Sequence, residues 1–344
     1  MTAPSARPLR IAIAGASSLL GKEITELFSS STLPVHELRL LDDAALEGTL
    51  TDAGGEPAVI HLFRDGSFEG AHLVFFAGLQ EFTARHWAEA ERSGAAVIDL
   101  SGALSSVRGA MPSIPPLDDE LGARPNARRL FRAPGAPVIV ASTICSALRM
   151  LPVRRIAVTF LQSVSERGQP GIDELEAQTT ALLSFQPIGR EVYDAQVAFN
   201  LLDRFGDASR ERLEDVRARV ARDISDYLGY RAPMPAVQVT QVPVFYGTGF
   251  NVFVEFDGPF SGSAVEDSLA KAGVQVASAG ADAPSNAGVA GTTAISVALR
   301  ADANLPMAWW IWGAVDNVRL AAQNAVRIAE RVARAALPAP LTEK

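Results

Sequence analysis

The 344-residue chain has a single cysteine, Cys145, and only four histidines, His36, His61, His72 and His86, all in its first quarter. One thiol excludes an internal disulfide framework and a cysteine-rich metal site, and it fits a reducing compartment. With no histidine beyond residue 86, the last three quarters lack the side chain whose ordinary pKa lies near neutrality. No metal site is expected. No apolar run approaches the roughly 18 residues a membrane-spanning helix needs, and the opening MTAPSARPLR has no apolar segment behind its charges. A cytoplasmic chain without a membrane partner is the expectation. The net charge of -8, with no run of Lys and Arg, argues against nucleic acid and leaves a small molecule as the default partner.

What is present is an ordinary globular composition, 48% hydrophobic and 20% charged, at a length that suits two domains. Residues 9 to 14, LRIAIA, form a short apolar run, followed by GASSLLG and then by KEITELFSS, whose apolar positions recur at helical spacing. The order is strand, tight turn, helix. ELRLLDD (37 to 43), HLVFFAG (72 to 78), the helical EFTARHWAEAERSG and AAVIDLSG (95 to 102) continue the alternation, which predicts an α/β, Rossmann-like domain with a parallel sheet. Beyond about residue 153 the texture changes to longer β-branched strands such as RRIAVTFLQSV, VQVTQVPVFYG and GFNVFVEFDG, separated by helical stretches at 171 to 184 and 208 to 228. The reading is one domain of residues 1 to 145 completed by a terminal helix at 315 to 337, and a second, α+β domain of residues 146 to 314.

In GASSLLG, Gly15 ends a strand and Gly21 lies inside the following helix, as the first and last glycines of a dinucleotide turn do. Ser17, Ser18, Leu19 and Leu20 lie between them, at the helix N-terminus where a pyrophosphate would sit. Ser18 stands where a glycine is expected, and a plain strand-to-helix turn is the alternative. Asp42 and Asp43 follow the second strand, where a carboxylate accepts from the ribose 2′-hydroxyl of NAD and repels a 2′-phosphate. A solvated turn is the alternative there.

Cys145 lies in APVIVASTICSALRM. APVIVAST reads as a buried strand that delivers the cysteine just past its carboxyl end, where ligands bind in such sheets. Free cysteine is also among the most buried residue types, so an inert core thiol remains the competing interpretation.

IAIAGASSLLGKE, HLVFFAG, AAVIDLSGA, VASTICSA, QSVSERGQPGIDELEAQT, VAFNLL, VTQVPVFYG and DNVRLAAQNAVRIAE together resemble, in order and spacing, the aspartate-semialdehyde dehydrogenase family, and especially its divergent Usg-type paralogues. The resemblance implies a cytoplasmic homodimer that uses NAD or NADP, with an interface sheet in its second domain. It also implies reduction of an acyl phosphate through a cysteine thioester. Cys145 matches the family cysteine and Gln162 the family glutamine, while Glu166 replaces a loop glycine. Gln241 stands where the family has a substrate-binding arginine and Thr248 where it has the catalytic histidine. Neither replacement can do the same work, because glutamine carries no charge and threonine does not titrate near neutrality. Asn317, at the head of the last helix, matches a residue close to the nicotinamide. If a dinucleotide binds, Asp42 favours NAD. Two functions stay open: an oxidoreductase acting through Cys145 on an altered acyl substrate, or a catalytically degenerate dimer that binds a ligand or a protein partner.

Overall fold

The computed structural model describes residues 8–43, 48–53, 56–122, 129–278 and 280–336. The chain forms two compact units, one built from residues up to Pro134 and from Ala321 onward, the other from Gly135 to Leu320. The first contains β1 (Leu9–Ala14), α1 (Leu19–Phe28), β2 (Val35–Asp42), β3 (Leu50–Ala53), β4 (Glu56–Leu62), β5 (Leu73–Phe76), α2 (Gln80–Arg92), β6 (Ala96–Asp99), β7 (Met111–Pro112), α3 (Pro115–Glu120) and β8 (Leu130–Arg132). Its strands lie in the order β3-β4-β2-β1-β5-β6-β8-β7. Only β3 and β4 pair antiparallel; β1 runs parallel to both β2 and β5. The chain order therefore reverses at β1, and the carboxyl end of that strand is a topological switch point, the place where α/β sheets hold ligands.

Both faces of this sheet are covered, which is why its strands read as unbroken apolar runs instead of alternating ones. Ile11 and Ile13 of β1 pack with Ile24, Leu27 and Phe28 of α1. Ala12 and Ala14 face the other way, against Phe68, Val74, Phe76 and Ala90. Asp99 ends β6 almost fully buried and is satisfied by the Ser101 amide and hydroxyl and by the Leu104 amide, so the following turn is tied to the strand.

The second unit contains α4 (Ala136–Ala147), β9 (Val153–Gln162), a 3₁₀ turn at 164–167, α5 (Gly168–Leu183), α6 (Leu213–Leu228), β10 (Ala236–Gln241), β11 (Thr248–Phe256), α7 (Gly262–Lys271), β12 (Gln275–Val276), α8 (Asn286–Val289), β13 (Ser296–Ala301), β14 (Ala308–Val315) and the start of α9 (Asn317–Ala336). The sheet order is β10-β9-β11-β14-β13-β12. β11 is antiparallel to β9 and β14, and β10 is parallel to β9. One face buries Val158, Phe160, Phe250, Val252 and Ile311. The other leaves Leu161, Phe253 and Trp310 half-covered and Trp312 exposed, as the period-2 alternation of side chains requires. α9 starts in this unit, and Ala322, Ala325, Val326, Ile328 and Ala329 of the same helix belong to the core of the first.

The helices expected at 171 to 184, 208 to 228 and 315 to 337 appear as α5, α6 and α9. One expectation fails. APVIVAST is not a strand: Gly135 caps and Pro137 opens a helix whose residues from Ala136 to Ser146 are all buried. β-branched residues suggested a strand, but a short, wholly apolar run cannot separate a buried helix from a buried strand by periodicity, and a proline in the first turn favours the helix. The helix also moves the division of the chain from residue 145 to 134, because α4 belongs wholly to the second unit.

Gly21 brings α1 against the turn after β1: a Cβ there meets the Gly15 carbonyl oxygen at 2.3 Å and the Ala16 Cα at 2.8 Å, both backbone atoms that cannot swing aside. We expect Gly21→Ala to lose about 1–3 kcal/mol of stability, the usual cost of overpacking. Urea unfolding measures it; an unchanged midpoint would mean that the turn yields freely.

Candidate functional site

In the first unit the expected site residues assemble around the switch point. Gly15 has φ +83°, and a Cβ on it meets the Gly78 amide nitrogen at 2.3 Å, so the turns after β1 and β5 touch backbone to backbone. Ser18 replaces the middle glycine without obstructing the turn, because its hydroxyl is drawn inward. It caps α1 by accepting from the Gly21 amide at 2.9 Å and donates to the Ala77 carbonyl at 2.9 Å. Leu19 and Leu20 form the first turn of α1. Asp42, at the end of β2, accepts from the Ser17 amide at 2.9 Å and the Ser17 hydroxyl at 2.7 Å through one oxygen, and from the Asp43 amide through the other. A glycine-lined turn, the N-terminus of a ten-residue helix and a carboxylate anchored beside it fit a nicotinamide dinucleotide.

In the second unit Gln162, Glu166, Gln241, Thr248 and Asn317 come together where β9 and β10 end and β11 begins. Gln241 is fully buried; its amide donates to the Gln162 carbonyl at 2.9 Å and the Val242 carbonyl at 3.1 Å, and its oxygen faces the Gln162 amide at 3.5 Å. It is thus committed to the backbone, with nothing left to offer a carboxylate. Asn317 accepts from the Gly247 amide at 2.9 Å and from the Ser165 and Ser163 hydroxyls, and donates to Ser165 at 3.1 Å and to Glu166 Oε1 at 3.0 Å. Glu166 as a residue is exposed. Its carboxyl end is nonetheless closely surrounded by protein, and burial pushes its pKa upward against the lowering influence of Asn317, Arg219, Arg167 and Thr248.

Beyond this cluster lies a feature the sequence did not signal. Glu211 pairs with both Arg167 and Arg219, and the Arg167 guanidinium lies 5.0 Å above the Phe205 ring. Glu174 and Gln178 of α5 act on the backbone: Gln178 accepts from the Val197 and Ala198 amides and donates to the Gly189 and Ala195 carbonyls, while Glu174 accepts from the Val192 and Tyr193 amides. These two motif residues hold the 189–198 loop.

Cys145 is placed differently from the sequence expectation. It lies in the last turn of α4, 1% exposed, not past the end of a strand and with no new helix starting behind it. Burial pushes its thiol up to about 12, and that is the whole of the shift. Its position adds a second obstacle, since the C-terminal end of a helix carries partial negative charge, which opposes a thiolate. Among the described residues, no group of three His, Cys, Asp or Glu side chains could hold a metal ion, and no helix is long and apolar enough to cross a membrane.

Comparison with known proteins agrees with both units. Residues 10–122 match the semialdehyde dehydrogenase NAD binding domain and residues 145–320 the semialdehyde dehydrogenase dimerisation domain. A USG-1 protein homolog of Pseudomonas aeruginosa is 32% identical over 337 residues, covering 94% of this chain and 97% of the relative. Aspartate-semialdehyde dehydrogenase 2 of Vibrio cholerae is 29% identical, with 94% and 97% covered. Among solved structures, a probable aspartate-semialdehyde dehydrogenase from Pseudomonas aeruginosa superposes with a TM-score of 0.86 at 30% identity, covering 96% of this chain and all of the other. Aspartate semialdehyde dehydrogenase II from Vibrio cholerae, complexed with ASA, gives 0.84 at 28% identity with the same coverage. With a glycine-lined dinucleotide turn in one unit, a mixed sheet in the other and matches along nearly its whole length, the chain belongs to the semialdehyde dehydrogenase family.

Proposed function

We propose that the protein is a homodimer that binds NAD through its first unit and a small molecule through its second, without the cysteine-thioester reduction that the family resemblance implies. The observation that carries this reading is the burial of Cys145. A thioester needs a thiolate within reach of an acyl carbon, and the only thiol of the chain is sealed inside α4 with its pKa pushed up to about 12. Gln241 and Thr248 support the same reading. The first is spent on the backbone; the second is buried and supplies no titrating group near neutrality. Gly15, Ser17, Leu19, Gly21 and Asp42 would hold the dinucleotide, which when bound would supply hydride transfer, but the chain offers it no acyl-enzyme partner. The dehydrogenase alternative would require α4 to open.

Two measurements test this directly. Iodoacetamide at about pH 8 should leave Cys145 unmodified in the native protein and label it fully in denaturant, read by mass spectrometry. Rapid native labelling that accompanies reduction of β-aspartyl phosphate would overturn the reading. The thiol also has a stability signature. The folded state holds its proton up to about 12 whereas the unfolded chain releases it near the ordinary 9.0. Stability from this group is therefore full below about pH 9 and declines as pH rises towards 12. Cys145→Val should flatten that alkaline decline in denaturant titrations.

Asp42 supports the cofactor preference, because a 2′-phosphate placed at the end of β2 would meet a carboxylate. We expect calorimetry to give at least about tenfold tighter binding of NAD than NADP, and Asp42→Ser to narrow the gap, since a charge contact at this distance is worth roughly 1.5–3 kcal/mol. Equal affinities would refute the assignment. The half-covered sheet face with Phe253, Trp310 and Trp312 supports the dimer, since apolar faces of this kind are normally covered in solution. Light scattering at micromolar concentration should return twice the 36.4 kDa chain mass, and a monomer would sink the proposal.

A further inference from the structure

The end of β2 is stitched to the turn after β1 residue by residue. The Leu41 carbonyl accepts from the Gly15 amide at 2.9 Å and from the Ala16 amide at 3.2 Å. The next amide in line, that of Ser17, goes to Asp42 Oδ2 at 2.9 Å, and the Ser17 hydroxyl donates to the same oxygen at 2.7 Å. Asp42 Oδ1 accepts from the Asp43 amide at 3.0 Å. Three donors thus converge on one half-buried carboxylate. This is the arrangement of an anion cradle, with the chain's own side chain as the anion. A carboxylate has roughly four lone-pair positions, so one stays open, enough for a single hydroxyl donor. Because the amides of Gly15, Ala16 and Ser17 are spent on β2, a pyrophosphate is left to the first-turn amides of Leu19 and Leu20, which at a helix N-terminus have no partner within the helix.

We propose that Ser17 sets the cofactor preference together with Asp42, as a positioning residue: its amide and hydroxyl, with the Asp43 amide, form a phosphate-type cradle that Asp42 keeps filled. The inference rests on the reading of the first unit as an NAD site. A carboxylate held by three hydrogen bonds presents its open lone pair in a fixed direction, and the ribose 2′-hydroxyl is the donor that meets it. A 2′-phosphate encounters two obstacles instead of one. It faces a like charge, and the donors that could neutralise it are already engaged. Substitution separates the two. Asp42→Asn removes the charge but leaves an amide oxygen for Ser17 to hold, whereas Asp42→Ala removes charge and acceptor together and opens the cradle. Repulsion alone gives the same gain of NADP in both variants; a filled cradle gives it in the alanine form only.

Titration calorimetry of the full-length protein with NAD and NADP tests the assignment, and thermal unfolding checks that each variant is folded. Asp42→Ala should bind NADP at least about tenfold more tightly than Asp42→Asn does, since phosphate gains charge-assisted bonds only in the first. Inorganic phosphate should compete with NADP in that variant alone. Asp42→Gly takes its place should the alanine form fail to fold. In the parent, Ser17→Ala should weaken NAD about three- to tenfold by releasing the carboxylate from one of its bonds, and Ser17→Thr, which keeps the hydroxyl, should restore the affinity. In the Asp42→Ala background, Ser17→Ala should instead weaken NADP and the competition by phosphate. Equal NADP binding by Asp42→Asn and Asp42→Ala overturns the proposal. So does a Ser17→Ala substitution that changes neither NAD binding in the parent nor NADP binding in Asp42→Ala. A parent that binds neither dinucleotide removes the cofactor reading and the proposal together, whereas a parent that prefers NAD with indifferent Ser17 variants removes the proposal alone.

Discussion

The second unit depends on one side-chain amide. Asn317 is the first residue of α9, and through its oxygen and nitrogen it joins the turn after β9 to the segment before β11 and to the helix itself. A buried amide of this kind is worth more than the sum of separate hydrogen bonds, because each partner would otherwise be left unsatisfied away from water. It ties down the turn that carries Glu166. The same helix then contributes Ala322, Ala325, Val326 and Ala329 to the core of the first unit. One residue thus anchors the start of an element whose remainder does a different job.

The polarity of the second unit follows from what each side chain can afford when buried. An arginine at position 241 would bring a charge into a fully buried site between Gln162 and Val242, and glutamine satisfies the same backbone carbonyls without one. The two guanidinium groups face Glu211, which takes one on each carboxylate oxygen, and the Phe205 ring lies beneath Arg167, so their desolvation is compensated. Glu166 takes its hydrogen bond from Asn317 and feels the same two arginines, so the two carboxylates and two guanidinium groups balance.

Several of the sequence pieces that carried the family resemblance prove to be structural. Gln178 and Glu174 of the QPGIDELEAQT stretch clamp the 189–198 loop, which ends on the first two residues of VAFNLL. Asp99 of AAVIDLSGA ties down its own turn. Ser18, the departure from a glycine turn, caps α1. These motif residues serve packing and hydrogen bonding, and the helix that carries Cys145 is buried from Ala136 to Ser146.

The sequence by itself determined the βα alternation, the glycine turn with an aspartate after the second strand and the absence of histidine from the second unit; the reversal of the sheet at β1 came from the fold. The first three are properties of local pattern: apolar spacing, the positive φ of Gly15 and the identity of single side chains. Tertiary structure alone decided the fate of APVIVASTICSA, because a run that is apolar on every side is compatible with strand or helix until its surroundings choose, and that choice carried Cys145 from an expected strand end into a helix interior. The surroundings of Glu166 were equally hidden: Arg219, Glu211 and Asn317 lie 45 to 151 residues further along the chain, and no local window reveals that Glu211 pairs with both Arg167 and Arg219. Residue types are legible in any window of sequence; burial and long-range pairing required the fold, since desolvation and ion pairing exist only once distant segments meet.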